Sequence, residues 1–251
     1  MESDLLPEKI YKYTKLDQNF YDLLIGQRLW FSNPQDFNDP FDNNINFNEE
    51  LDEEELESLL RSEKFKHDPK TLISHLKKNP QILDDTYDKL KHFIRDIGIC
   101  CFSEIQDNLL MWAHYSNCHK GVCIEFDVEK LKTIHQELKR VNYQKLMPDI
   151  KILDIPKGEI YGELPFYKSD HWSYEQEIRV WAKSSGAILF PIEALSGIIF
   201  GLKMTDEQMT TICRLMIKLG YSNVKFYKAE LHPKEYKLNF VDINVIDEEH
   251  E

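Results

Sequence analysis

The sequence is poor in the features that most quickly assign a class. No apolar run approaches the roughly 20 residues of a membrane span, and the opening "MESDLLPEKIYKY" has no basic and apolar leader, so an intracellular, cytoplasmic protein is expected. There are only 5 cysteines in 251 residues, irregularly spaced and odd in number, which excludes a secreted disulfide framework and favours reduced thiols. Basic residues are short as well: 31 Lys and Arg stand against 44 Asp and Glu, a formal net charge of -13. That balance argues against nonspecific binding to nucleic acid, which is driven by cations releasing phosphate counterions. There is no GxGxxG, Walker A loop, GxSxG elbow or HExxH, no internal repeat, and no Gly/Ser-rich or Pro-rich linker. One domain spanning 1–251 is therefore expected rather than two.

What is present is enough apolar material for a sizeable core: 42% hydrophobic residues, 12% of the chain aromatic. "KIYKYTK" reads as a strand, "DQNFYDLLIGQ" as a helix capped by Asp17, and "RLWFS" as a second strand. The Asn, Asp and Pro residues of "NPQDFNDPFDNN" demand turns, and Phe37 and Phe41 within it predict a loop packed against the body. From about residue 48 to 97 apolar residues recur at three and four spacing, which predicts a helical insertion or lid. The acidic run Glu49 to Glu57 suits the N-terminus of its first helix. "IGICCFSE" is apolar enough for a central strand, and "KGVCIEFD", "EQEIRVWA", "GAILFPI", "LSGIIFG", "NVKFYKAEL" and "KLNFVDINV" supply others. Helices interleave irregularly, including "DNLLMWAHYSN" with Asp107 or Asn108 as its cap and "TDEQMTTICRLMIKLG" after Thr205. The pattern predicts an α+β fold with a mixed, largely antiparallel sheet and flanking helices.

Four constellations carry candidate chemistry. Cys118, Cys123, His114 and His119 lack the paired knuckles of a zinc site, and Cys123 falls in a buried strand pattern, so no metal is assigned to them. Cys101 with His114 would make a thiol nucleophile if the fold brought them together. Asp39, Asp42, Glu125 and Glu177 would hold Mg²⁺ for a metal-dependent nuclease if they converged, whereas Asp39 and Asp42 also suit turn capping. In "SYEQEIRVWA", Ile178, Val180 and Ala182 share one face of a strand and Arg179, Trp181 and Lys183 the other, with Glu175 and Glu177 at the entrance. That pair serves chemistry, or it is surface charge beside Arg179 or Lys183 worth at most about 1 kcal/mol.

Taken together, "YKY", "LWFSNPQDFNDPFD", "CCFSE", "NLLMWAHYSNCHKGVCIEFD", "SYEQEIRVW" and "IIFG" resemble the bacterial family catalogued as domain of unknown function 2971, over about Tyr11 to Gly201. More distantly, "YEQEIRVW" resembles the loop and strand of toxin-type ADP-ribosyltransferases. That resemblance implies NAD as substrate, an acceptor macromolecule, Glu177 as the catalytic carboxylate and Glu175 as its acceptor-side partner. It also implies that Tyr11, Tyr13, Trp30 or Phe31 stacks on nicotinamide or adenine, that Ser32 bonds the ribose, and that Asn38 and His114 line the cleft. Such enzymes carry a polar NAD-binding residue, plainly His or Arg, on the first strand; "KIYKY" has neither, so Tyr11, Lys12 or Tyr13 would substitute. Defence or toxin biology is the setting the resemblance implies. A noncatalytic module binding a nucleotide or protein is the third class, marked by an aromatic cleft without perturbed carboxylates.

Overall fold

The computed structural model describes residues 5–48, 54, 69–132, 138–151 and 159–243. An eight-stranded sheet forms the centre, in the order β14-β13-β12-β5-β1-β4-β10-β6. Its strands are β1 (Lys9–Thr14), β4 (Gly98–Ser103), β5 (Val122–Asp127), β6 (Lys139–Arg140), β10 (Glu177–Ala182), β12 (Leu195–Phe200), β13 (Lys225–Leu231) and β14 (Leu238–Asp242). Every neighbouring pair is antiparallel except β12 and β13, which are parallel. The fold is thus α+β with a mixed, mostly antiparallel sheet. The remaining strands make three small two-stranded ladders: β2 (Arg28–Phe31) with β11 (Gly186–Leu189), β3 (Asn46–Asn48) with β8 (Asp149–Lys151), and β7 (Asn142–Gln144) with β9 (Tyr167–Ser169).

The helices are α1 (Gln18–Gly26), α2 (Pro69–Lys78), α3 (Gln81–Asp96), α4 (Leu109–Tyr115), α5 (Val128–Leu131), α6 (Glu159–Glu163) and α7 (Asp206–Lys218). Their starts follow from local chemistry. Asp17, Asn108 and Asp127 each accept a hydrogen bond from a backbone N–H of the first turn, satisfying donors the helix itself leaves open. Thr205 and Gln208 complete a capping box at α7, whose length supplies the crossover that the parallel β12–β13 pair requires. None of the helices among the described residues is long and apolar enough to cross a membrane. The expected helix at "NEELDEEELESLLRSEKF" lies outside the described residues except at Asn48, which ends β3 instead, and at Glu54, while α2 and α3 stand where the periodicity of the following stretches predicts them.

Period-two alternation decides which side chains enter which core. In β5, Val122, Ile124 and Phe126 enter one hydrophobic cluster and Cys123 the opposite one. The larger cluster packs α1 and α7 onto one face through Phe20, Leu24, Ile212 and Met216. On the other face Trp112 of α4 is completely buried, its ring edge-on to Tyr13 at 5.3 Å. A third, smaller cluster joins Tyr87, Leu90 and Ile94 of α3 to Ile150 and Leu164. Behind α4 the chain makes a tight turn in which Asn117, Cys118 and His119 all adopt positive φ. Gly121 closes it, because a Cβ there would lie 2.2 Å from the Thr14 carbonyl oxygen.

One feature of the sheet positions the site. β1 and β4 pair only at Tyr11 and Ser103, whereas β1 pairs with β5 along its whole length. Beyond that single pair the two strands part, and Lys12 reaches across to the Cys101 carbonyl at 3.0 Å.

Candidate functional site

A cleft of about 180 Å³ opens on the face of the sheet where β1 and β4 part. Its walls include Tyr11 and Tyr13 of β1, Cys101 and Ser103 of β4, Tyr115 of α4, and Phe37 and Asn38 of the turn-rich loop. At its base lies a buried cluster of five charged groups: Asp42, Lys168, Glu175, Glu177 and Arg179. Arg179 has no exposed surface, and it grips Asp42 with two parallel bonds, Nη1 to Oδ1 at 2.9 Å and Nη2 to Oδ2 at 2.6 Å. Its Nε donates to Glu177 Oε1 at 2.8 Å, and Nη1 also donates to the Pro165 carbonyl at 2.8 Å. Phe37 covers the guanidinium with its ring centroid 5.7 Å away. Lys168 supplies the second cation. Its Nζ donates to Glu175 Oε2 at 2.5 Å and Glu177 Oε2 at 3.0 Å, with Asp42 Oδ2 at 3.6 Å.

Local structure explains how residues spread over the sequence converge. Residues Asp170–Glu175 form a 3₁₀ helix that returns from β9, which carries Lys168, to β10, which carries Glu177 and Arg179. Gln176 takes a left-handed φ of 42° at its end, so that Glu175 turns inward beside Glu177. The bend is fixed from β4 by Ser103, whose hydroxyl donates to the Glu175 carbonyl at 2.6 Å.

The two glutamates end up in different electrostatic states. Burial alone would raise Glu177, but the cations Arg179 and Lys168 outweigh it and hold the carboxyl down at about 2. For Glu175 burial dominates, aided by the Glu177 charge and opposed by Lys168, so its pKa is raised above the ordinary carboxylate value. Its Oε1 accepts from the Tyr115 hydroxyl at 2.5 Å, and burial together with that bond pushes the Tyr115 phenol well above its usual range. Lys168 keeps its proton: burial opposes the charge, but Glu177, Glu175 and Asp42 raise its pKa. Among the described residues, three carboxylates face two cations, so the cluster carries one unmatched negative charge when all are ionised. Glu175 is the member whose environment leaves that charge least stabilised.

The structure brings together Tyr11, Tyr13, Asn38, Glu175 and Glu177 at the cleft. Burial raises the Tyr11 phenol to about 12, with Glu125 adding to the shift. Four other residues expected there lie elsewhere. Trp30 is half exposed on the small β2–β11 ladder, and Phe31 is completely buried in the main core, where no ligand ring can reach it. Ser32 continues β2 in a bridge to Ile99. His114 is exposed, with Nδ1 3.2 Å from the Tyr174 hydroxyl, so it does not form a thiol–imidazole pair with Cys101. The Cys101 thiol is itself pushed well up by burial and by Glu177.

Other expectations are corrected. The glutamate pair is not solvated charge at a strand entrance: Glu175 and Glu177 are 3% and 4% exposed. Phe41 is 65% exposed and does not staple its loop; Phe37 does that alone by packing on Arg179. Glu125 stands apart from the other carboxylates, bound to Lys9 and Ser196, each at 2.7 Å. Asp42 and Glu177 converge, but on Arg179 and Lys168. Among the described residues no group of three or more His, Cys, Asp or Glu side chains is arranged to hold a metal ion. Lys168 and Tyr115 are the site residues that sequence reasoning missed. Only Arg179 had a visible signal, its position two residues from Glu177 on the same face of a strand.

Comparison with curated proteins and with solved structures gives no match. The site's own segment does match a family model: residues 111–180, which carry Tyr115, Lys168, Glu175, Glu177 and Arg179, match the family described as protein of unknown function, DUF2971.

Proposed function

We propose that the cleft is the active site of an ADP-ribosyltransferase-like enzyme, which breaks the bond between nicotinamide and ribose in NAD and transfers ADP-ribose to an acceptor. The observation that carries this reading is the unmatched negative charge on Glu175 at a cleft walled by aromatic rings. Nicotinamide in NAD is a cationic ring, and rupture of its glycosidic bond moves positive charge onto the ribose. A buried carboxylate beside that centre stabilises the charge most where it develops, with little solvent to screen it.

The bond chemistry balances without a further reactant. The carbon–nitrogen bond breaks with its electron pair going to nicotinamide, which leaves neutral. An acceptor nucleophile forms the new bond to the ribose carbon and its proton passes to Glu175, whose raised pKa suits it to receive one. Tyr115 holds the Glu175 carboxylate in place through Oε1. Glu177 acts through its neighbours: with both oxygens bound to Arg179 and Lys168, it fixes the cation that orients Glu175. In this reading Glu175 takes both roles that the sequence resemblance divides between Glu177 and Glu175, and Glu177 is a positioning residue. A cleft of about 180 Å³ takes one ring and its sugar rather than a whole dinucleotide, being smaller than the roughly 300–1,000 Å³ usual for small-molecule sites.

The test is nicotinamide release from NAD by the purified protein, with a cell lysate as acceptor source, beside Glu175→Gln. Release by the wild type that falls by about a hundredfold or more in the variant supports the reading. Absence of release, with NAD still bound in the cleft, would instead make the protein a noncatalytic nucleotide-binding module.

A further inference from the structure

Lys168 is the cation of the cluster that the main sheet holds least directly. Arg179 stands on β10 inside the eight strands, whereas Lys168 comes from β9, a three-residue strand paired only with β7 among the described residues. That ladder is pinned to β10 at two points. The Val141 N–H donates to the Glu177 carbonyl at 2.9 Å, and the Glu177 N–H donates to the Tyr143 hydroxyl, also at 2.9 Å. Tyr143 and Lys168 are register partners across β7 and β9, so these bonds set where the Lys168 backbone lies. They do not set its side chain, a long flexible stem that ends in a strongly hydrated point charge.

The Lys168 side chain is nonetheless only 6% exposed. Besides its carboxylate partners the ammonium has Trp172, whose ring centroid lies 5.2 Å from Nζ. That is within the range of a cation–π contact, for which indole is the best of the aromatic side chains. Trp172 owes its place to the turn that closes the site, the 3₁₀ helix Asp170–Glu175, where it stands between Lys168 and Glu175 in the chain. The turn is fixed at both ends. Ser169 accepts from the His171 N–H at 3.4 Å, and Asn108, the cap of α4, donates from Nδ2 to the Tyr174 carbonyl at 2.9 Å. The Tyr174 ring then packs on the Trp172 ring, their centroids 6.0 Å apart. Trp172 is half-buried and does not wall the cleft, so it reaches the site through Lys168.

We propose that Trp172 is a positioning residue: its indole covers the Lys168 ammonium, keeps water from the Lys168–Glu175 pair and holds that cation on the reacting carboxylate. The role rests on the assignment of Glu175 to NAD cleavage, but the contact is testable without turnover. Opening the cover admits water to both groups. Water competes with Glu175 for the ammonium, and it also solvates the Glu175 carboxylate. Burial is the largest cause of the raised Glu175 pKa, ahead of the opposing Lys168 charge, so the second effect wins and Glu175 titrates lower. Glu177 is the internal control, because Arg179 does more than Lys168 to hold it down. The other groups facing the pair, Asp42, Arg179, Tyr115, Tyr143 and Tyr174, are left in place.

The experiment compares wild type, Trp172→Ala and Trp172→Phe as full chains, by carboxyl-carbon NMR titration and by the kcat and KM of nicotinamide release from NAD. In Trp172→Ala the Glu175 titration is expected to move down toward 4.5 while Glu177 stays near 2. kcat should fall about tenfold, within the reach of one desolvated cation–π contact, with KM unchanged and the acid limb of the pH profile displaced downward with Glu175. Trp172→Phe, which returns a ring face to the ammonium, recovers most of both. No release by the wild type, with the titration shifts as described, overturns the NAD reading and leaves the positioning of Lys168 standing. The proposal is overturned if Glu175 in Trp172→Ala titrates as in the wild type or higher, if Glu177 loses its low value as well, or if Trp172→Phe restores nothing. It is equally overturned if KM rises while kcat and the titration hold, which would make Trp172 a substrate contact.

Discussion

The two faces of β10 use the same six-residue strand for opposite purposes. Ile178, Val180 and Ala182 enter the main hydrophobic cluster, where burial stabilises the fold roughly in proportion to the apolar area removed from water. On the other face, Glu177 and Arg179 are just as deeply buried, yet their stability depends on each charge finding partners in Asp42 and Lys168. An apolar face degrades gradually when one group is lost. A buried ionic face fails sharply, because removing one member strands the rest. The same matching also leaves Glu175 as the one carboxylate without a full share of cation, which is why chemistry is assigned to this face and not to the other.

The sharpest way to break the comparison is Arg179→Met. It strands Asp42 and Glu177 without their shared cation, and a loss of about 3–5 kcal/mol in chemical denaturation is expected. If the variant were as stable as wild type, charge matching would not hold this face together. Next comes function: Glu175→Gln should lower nicotinamide release by about a hundredfold or more, while the remaining charges, two carboxylates and two cations, stay matched and the fold intact. Activity unchanged in that variant would remove Glu175 from the chemistry.

Acid stability gives a third effect. Because the folded pKa of Glu177, about 2, lies below its unfolded value near 4.5, its carboxylate binds protons more readily in the unfolded chain. The resulting stability is present above pH 4.5 and is lost as pH falls through about 2, on the order of 3 kcal/mol. Glu175 works in the opposite sense, its raised pKa costing stability as pH climbs above 4.5. Denaturation between pH 5 and 2 should therefore show a steep loss that Glu177→Gln flattens. The smallest effect belongs to the apolar face: Ile178→Val should cost about 1 kcal/mol, with no dependence on pH. A cost of several kcal/mol there would mean that the two faces are not mechanically separate.

The apolar face was legible because hydrophobic alternation is a local signal: Ile178, Val180 and Ala182 declare their side of the strand without knowledge of anything else. The caps at Asp17 and Thr205 were legible for the same reason, since each acts within its own first turn, and the third was narrowed to Asp107 or Asn108, of which Asn108 serves. The ionic face was not. Lys168 looks like any surface lysine in "FYKSDHW", and only the 3₁₀ turn at Asp170–Glu175 folds it back onto the glutamates. Asp42 lies 137 positions from Arg179 in a loop whose acidic residues read equally well as turn caps. Phe31 misled in a different way. An aromatic at the end of an early strand suits a stacking platform, but β2 leaves the main sheet to pair with β11, and the ring turns into the core. The DUF2971 match over residues 111–180 includes most of the cluster but stops short of β1 and of Asp42, which complete the cleft through tertiary contact alone.

The most direct test of the account is a carboxyl-carbon NMR titration of glutamate-labelled protein, with Glu175→Gln and Glu177→Gln used to assign the two signals. The account predicts that they move apart: Glu177 titrates near 2, and Glu175 above the ordinary glutamate value of 4.5. Both carboxyls titrating below 4.5 would show that no unmatched charge faces the cleft, and would contradict the chemistry assigned to it.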